Sequence, residues 1–96
     1  MPSCALDPTA VREQYARYRR LAAAMTCLER TPETISVQFD ELLDRDLLST
    51  TLAVERACCP FFVFDFSDYD RRLRIGVRQP QQSRALDAMA AAFTRG

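Results

Sequence analysis

The segment Glu55-Arg56-Ala57-Cys58-Cys59-Pro60-Phe61-Phe62 marks a point where a helix has to give way to a strand. Proline has no backbone N–H to donate and restricts the residue before it to extended or turn geometry, so the preceding helix is predicted to end at or before Cys59. The aromatic residues after the proline favour a strand. The rest of the fold is predicted outward from this change of backbone.

The helix before this segment and the hairpin after it follow from the spacing of apolar residues. Asp40 can cap a helix whose apolar positions recur every three or four residues between 43 and 58. After Pro60, an aromatic run, a polar turn at 67–70 and an alternating stretch at 72–78 predict an antiparallel hairpin. The residues of its second strand expected to face the core are Leu73, Ile75 and Val77.

The two ends of the chain are predicted to be helical. Asp7-Pro8-Thr9 has the form of an N-cap with proline at the first helical position, and apolar periodicity carries this helix to about Leu28. The stretch Thr34–Phe39 alternates strictly and predicts a half-buried strand. Pro80 opens a last helix with one apolar face.

These elements give the order α-β-α-β-β-α in a single domain covering residues 1–96. The fold class is predicted to be α+β with two layers, a three-stranded, mainly antiparallel sheet with the helices on one face. Alternation in the run 61–66 leaves one apolar set on the face away from the helices. That set predicts either a homodimer built sheet to sheet or coverage by a helix or terminus.

Composition narrows the classes of partner. The formal net charge is zero and no histidine is present, so there is no basic excess of the kind that nucleic-acid or membrane-surface binding needs. No signal peptide and no run long enough to span a membrane is recognisable, and the expected location is cytoplasmic. In a reducing cytosol the four cysteines are expected to be thiols.

Two adjacent thiols at a helix end suit a metal better than redox cycling. Residues three and four apart share a helix face, which places Glu55 over both Cys58 and Cys59. The negative end of the helix dipole disfavours thiolate, whereas a soft metal ion displaces the proton and supplies positive charge itself. Mercury(II), copper(I) and arsenic(III) accept two or three thiolates, and zinc fits less well because it requires four ligands.

Neighbouring cysteines cannot readily place two sulfurs on opposite sides of one ion, so a further thiol is needed. If the first two helices pack antiparallel, Cys4 approaches the cysteine pair; a cysteine of a second subunit is the alternative. Cys27 is expected to be a small core residue. The predicted metal ligands are Cys4, Cys58, Cys59 and Glu55. The structural alternatives, a packed cysteine pair and a surface acid at Glu55, remain open.

The chain resembles a family of short bacterial proteins associated with mercury-resistance gene neighbourhoods, whose domains also occur attached to mercury-responsive-type regulators. The resemblance rests on Cys4 in Cys-Ala-Leu, on the segment 55–62 with Phe64 following, and on Leu73-x-Ile75-x-Val77 leading to Pro80. It implies that Cys4, Cys58 and Cys59 bind, transfer or sense a soft metal, with a metal-handling or regulatory protein as a possible partner.

Three functions of different classes are compatible with these residues. The favoured one is a cytoplasmic protein that binds a thiophilic metal, with mercury as the expected ion. A second is an enzyme that cleaves a carbon–metal bond, with Glu55 or Asp65 delivering a proton to the carbon, although no substrate cavity is evident from the sequence. A third is a metal-free interaction module in which the cysteines belong to the core.

Overall fold

The computed structural model describes residues 7–94 as three α-helices and a four-stranded sheet. The helices are α1 (Pro8–Ala22), α2 (Arg45–Cys58) and α3 (Ser83–Thr94), and a short 3₁₀ turn, Pro80–Gln82, precedes α3. The strands are β1 (Met25–Arg30), β2 (Thr34–Phe39), β3 (Phe62–Ser67) and β4 (Arg72–Val77). The α+β class predicted from the sequence is confirmed.

The sheet has the order β1-β2-β4-β3, and every neighbouring pair is antiparallel. The hairpins β1–β2 and β3–β4 therefore lie side by side, joined through β2 and β4. Ile35 of β2 lies opposite Ile75 of β4, which in turn lies opposite Phe64 of β3. Because side chains in one register row share a face, these three point to the same side of the sheet.

One hydrophobic core lies between that side of the sheet and the helices. β2 and β4 contribute fully buried side chains, and α3 packs directly over these two strands. The helix α1 contacts both α2 and α3, and the Tyr18 ring meets the Phe93 ring edge to face with centroids 5.0 Å apart. The core residues contributed by the strands are Ile35, Val37, Phe39, Phe62, Leu73 and Ile75.

Side-chain caps fix where α1 and α2 begin. Asp7 accepts a hydrogen bond from the backbone N–H of Ala10 at 2.8 Å, as its position before Pro8 predicts. The cap of α2 is Asp44, which accepts from the N–H of Leu47 at 3.0 Å. The predicted cap at Asp40 is therefore four residues too early, because Asp40 instead accepts from the N–H of Leu42 within the preceding turn.

A strand takes the place of the end of the predicted first helix. The helix stops at Ala22, and β1 begins at Met25 and pairs with β2, so the order is α-β-β-α-β-β-α and the sheet has four strands. The alanine run at 22–24 has helical propensity, but tertiary pairing along β2 decides the backbone of 25–30. As a result Cys27 lies opposite Gln38 and is exposed, and its predicted core position is wrong.

The outer face of the sheet is polar, so the predicted apolar patch on this face is also wrong. Phe62 is buried, and Phe64 and Phe66 are half-buried on the helix side, which leaves Val63 as the apolar residue that β3 turns outward. Charged and polar side chains occupy the outer rows of the register. They include Glu29, Ser36, Gln38, Asp65, Arg72 and Arg74. Dimerisation stays a prediction, and no apolar outer face of the sheet supports it.

None of the helices in the described part of the chain has the length and hydropathy that crossing a membrane requires.

Candidate functional site

The end of α2 lies where the sequence predicts it. The last helical residue is Cys58, and the backbone N–H of Cys59 donates to the carbonyl oxygen of Glu55 at 2.7 Å. Cys59 then leaves the helix, with φ −129° and ψ 75°, because Pro60 follows. Its carbonyl oxygen accepts from the N–H of Phe62 at 3.1 Å. Hydrogen bonds on both sides of Cys59 thus hold the turn between α2 and β3.

The two adjacent cysteines differ in environment and in chemical state. Cys58 is a half-buried free thiol at the surface end of the helix. Cys59 is buried, with 2% of its surface exposed, and takes part in a disulfide bond. Cys58 and Cys27 are free, so neither is its partner. This agrees with the expectation that neighbouring cysteines do not bridge one another, but Cys59 is not the thiol that the sequence suggested.

Glu55 is turned into the interface between α1 and α2. Its side chain is fully buried, and its Oε1 atom accepts a hydrogen bond from Nε2 of Gln14 at 3.1 Å. The same amide nitrogen donates to the carbonyl oxygen of Thr51 at 3.0 Å, and Gln14 Oε1 accepts from Nη1 of Arg17 at 2.8 Å. A chain of polar groups therefore enters the protein from the surface at Arg17 and ends at the Glu55 carboxyl.

The second oxygen of this carboxyl has no hydrogen-bond partner among the described residues. Glu55 Oε2 and the Tyr18 hydroxyl are both buried, and neither makes a hydrogen bond with any residue in the range 7–94. The two groups are nevertheless close enough for each to shift the pKa of the other. A buried pair of this kind is costly unless the carboxyl is protonated or a further donor is supplied.

Burial dominates the electrostatics of the pair. Desolvation raises the pKa of Glu55 above 4.5. The hydrogen bond from Gln14 opposes this rise by favouring the carboxylate, and so does the nearby Tyr18 hydroxyl group. Desolvation also raises the pKa of Tyr18 well above 10.0, and the nearby negative charge of Glu55 adds to the effect. A carboxyl that is harder to ionise than usual therefore lies one helical turn before the cysteine pair.

The predicted ligands are brought together only in part. Cys58 and Cys59 share the end of α2, whereas the hydrogen bond of Glu55 points toward α1. Cys4 lies outside the described residues. Within residues 7–94, no three cysteine, aspartate or glutamate side chains converge in a way that could hold a metal ion.

Sequence reasoning missed the partners of Glu55. Gln14 and Tyr18 are four residues apart on α1, and Leu21 continues the same face, so the buried stripe includes a polar residue that an apolar count passes over. A glutamine at a core-facing position was the available signal, because a buried amide requires partners. Thr51 gave none, since its carbonyl oxygen, and not its side chain, accepts the bond.

Comparison with protein-family models, with curated proteins and with solved structures finds no match to this chain.

Proposed function

We propose that this chain binds a thiophilic metal ion through the cysteines at the end of α2, and that it acts in metal resistance by sequestration, transfer or sensing. The observation that carries the proposal is the position of Cys58, a half-buried free thiol directly beside Cys59 where α2 turns into β3. Thiolate ligands select mercury(II), copper(I) or arsenic(III) over harder ions. Mercury(II) is the ion proposed first.

The state of Cys59 sets a condition on this function. A sulfur in a disulfide bond has no thiolate to offer, so metal uptake through both cysteines requires prior reduction. Two thiols then become available at one helix end, and Cys4 is the proposed third ligand. Metal binding and oxidation therefore compete for the same sulfur.

Glu55 is proposed to hold the backbone of the cysteine pair in position, without coordinating the metal. Its carboxyl is buried against α1, and its main-chain carbonyl holds the N–H of Cys59. This main-chain bond fixes the backbone at the end of α2, from which both cysteine side chains project.

The test is native mass spectrometry of the reduced full chain, titrated with mercury(II) and separately with zinc(II), in the presence of excess monothiol competitor. A single protein thiol loses mercury to the competitor, whereas a chelate of two or more thiolates retains it. The double variant Cys58→Ser, Cys59→Ser is expected to lose the retained mercury, and the parent is expected to take up mercury over zinc.

Cys27→Ser is the matched control, because Cys27 lies exposed on the outer face of the sheet. It is expected to bind mercury as the parent does. Far-UV circular dichroism establishes that the variants are folded. A folded double variant that retains mercury against the competitor would rule out this site.

A further inference from the structure

A groove lined by two arginines lies beside the edge strand β3, near the end of α2. Its volume is about 310 Å³, at the lower end of the range for small-molecule sites. Arg56 of α2 and Arg78, which follows β4, both line it. The remaining lining residues are Pro60, Phe62, Val63 and Phe64.

Both arginines have unused hydrogen-bond donors. Neither forms an ion pair with any residue of the described range, in contrast to Arg17, Arg30 and Arg45, which all do. Nε of Arg78 donates to the carbonyl oxygen of Pro60 at 3.1 Å, which orients the guanidinium and leaves its other N–H groups available. Unpaired guanidinium groups at one groove favour an anion, and their fork suits a carboxylate.

The groove also offers apolar and aromatic surface. The guanidinium carbon of Arg56 lies 5.5 Å from the centroid of the Phe64 ring, so a cation–π contact holds this side chain along the strand. The Phe62 and Phe64 rings are 5.8 Å apart and continue the apolar lining. An anion with a flat apolar body would therefore find charge and contact surface together.

An adjacent groove along β3 does not extend this anion site, because its second cation is already paired with a carboxylate. It occupies about 280 Å³ between α2 and β3 and shares Arg56, but its other cation, Arg45, is ion-paired with Asp68. An acidic peptide extended along β3 would meet the carboxylate of Asp68. The two unpaired cations lie only at the Pro60 end, which limits the ligand to a small one.

We propose that this groove binds a small aromatic carboxylate, with Arg56 and Arg78 holding the anion and Val63 and Phe64 contacting the ring. The groove lies apart from Cys58, because Arg56 and Cys58 are two residues apart on a helix and so point to different sides of α2.

The probe is 2-naphthoate, titrated into the full chain and followed by the backbone amide signals of residues 61–64 and 78 in ¹H–¹⁵N spectra. Saturable shifts at these residues are expected, and the neutral isostere 2-naphthamide is expected to bind about tenfold more weakly. Arg56→Gln and Arg78→Gln are each expected to weaken naphthoate binding by about tenfold. Arg56→Lys, which keeps the charge, is expected to fall between Arg56→Gln and the parent.

Arg74→Gln is the matched control, because it removes an exposed cation from the outer face of the same sheet. Its affinity for naphthoate is expected to equal that of the parent. Equal binding of the acid and the amide, equal loss in the control variant, or absence of saturable shifts at the groove would each overturn the proposal. None of these outcomes bears on mercury binding, which is measured separately.

Discussion

The side-chain amide of Gln14 donates to the buried Glu55 carboxyl at 3.1 Å and joins α1 to α2 beneath the cysteine pair. The same nitrogen also satisfies the Thr51 carbonyl oxygen at 3.0 Å, so one side chain holds two turns of α2. Buried polar groups connected in this way specify one register between two helices, because sliding either helix would leave several of them unpaired. The position of α1 and the environment of Glu55 are thus set together.

Replacing Glu55 by glutamine is expected to stabilise the protein at neutral pH. Burial raises the pKa of Glu55 above 4.5, so the folded protein binds the proton more tightly than the unfolded chain. The contribution of Glu55 to stability is therefore present below pH 4.5 and is lost as the pH rises through the pKa of the folded state. Glutamine keeps the Oε1 acceptor and carries no charge.

The measurement is urea unfolding of the parent and of Glu55→Gln at a series of pH values from below 4.5 to neutral pH. The difference in free energy of unfolding is expected to grow in favour of the variant as the pH rises. A constant difference at all pH values would show that Glu55 ionises equally easily in the folded and unfolded states.

Truncating Gln14 to alanine is expected to cost about 2 kcal/mol of unfolding free energy, since two buried acceptors lose their donor. The acceptors left behind are the Thr51 carbonyl oxygen and Glu55 Oε1. Arg20→Ala, an exposed change on the same helix, is expected to stay within about 0.5 kcal/mol of the parent. Chemical denaturation of both variants checks the difference, and equal stabilities would contradict the role assigned to Gln14.

Much of the fold follows from local patterns in the sequence. Alternation identified β2 with its observed bounds, and the polar turn placed the β3–β4 hairpin. Pro60 predicted the end of α2 correctly, because a missing donor and the steric restriction on Cys59 are local effects. Patterns of this kind need no knowledge of the partner element.

The errors arose where long-range contacts decide the structure. Residues 25–30 form a strand because β2 offers a pairing edge, which the preceding alanine run does not reveal. The side of the sheet taken by the phenylalanines of β3 depends on register with β4, and a shift of one residue reverses it. At the site, the sequence placed Glu55 and the cysteines on one helix turn but could not show that α1 covers the carboxyl.

Removing the side-chain cap of α2 should measurably lower the free energy of unfolding. Asp44→Ala removes the acceptor of the Leu47 N–H bond and is expected to cost about 1 kcal/mol. Asp40→Ala tests the cap position predicted from the sequence. Its expected loss of unfolding free energy is smaller, because the Asp40 side chain accepts only from the N–H of Leu42 in the turn before α2. Urea unfolding of the two variants compares them, and a larger loss at Asp40 would contradict the observed helix start.

The reactivity of the cysteines should follow their order of exposure. Cys27 is exposed on β1 and is expected to be alkylated first by iodoacetamide in the native protein, whereas half-buried Cys58 is expected to react more slowly. Cys59 is expected to resist alkylation until its disulfide is reduced, and to remain slow afterwards because it is buried. Peptide mass spectrometry at timed intervals gives the rate at each position.

The same labelling series also separates packing from metal binding. Mercury(II) added to the reduced protein at one equivalent is expected to protect Cys58 and Cys59 together and to leave the rate at Cys27 unchanged, because a chelate occupies both sulfurs of the α2 end. Cys27→Ser serves as the control for mercury lost to the exposed thiol. Protection confined to Cys27 would place the metal on the outer sheet face and would leave the cysteine pair as part of the turn between α2 and β3.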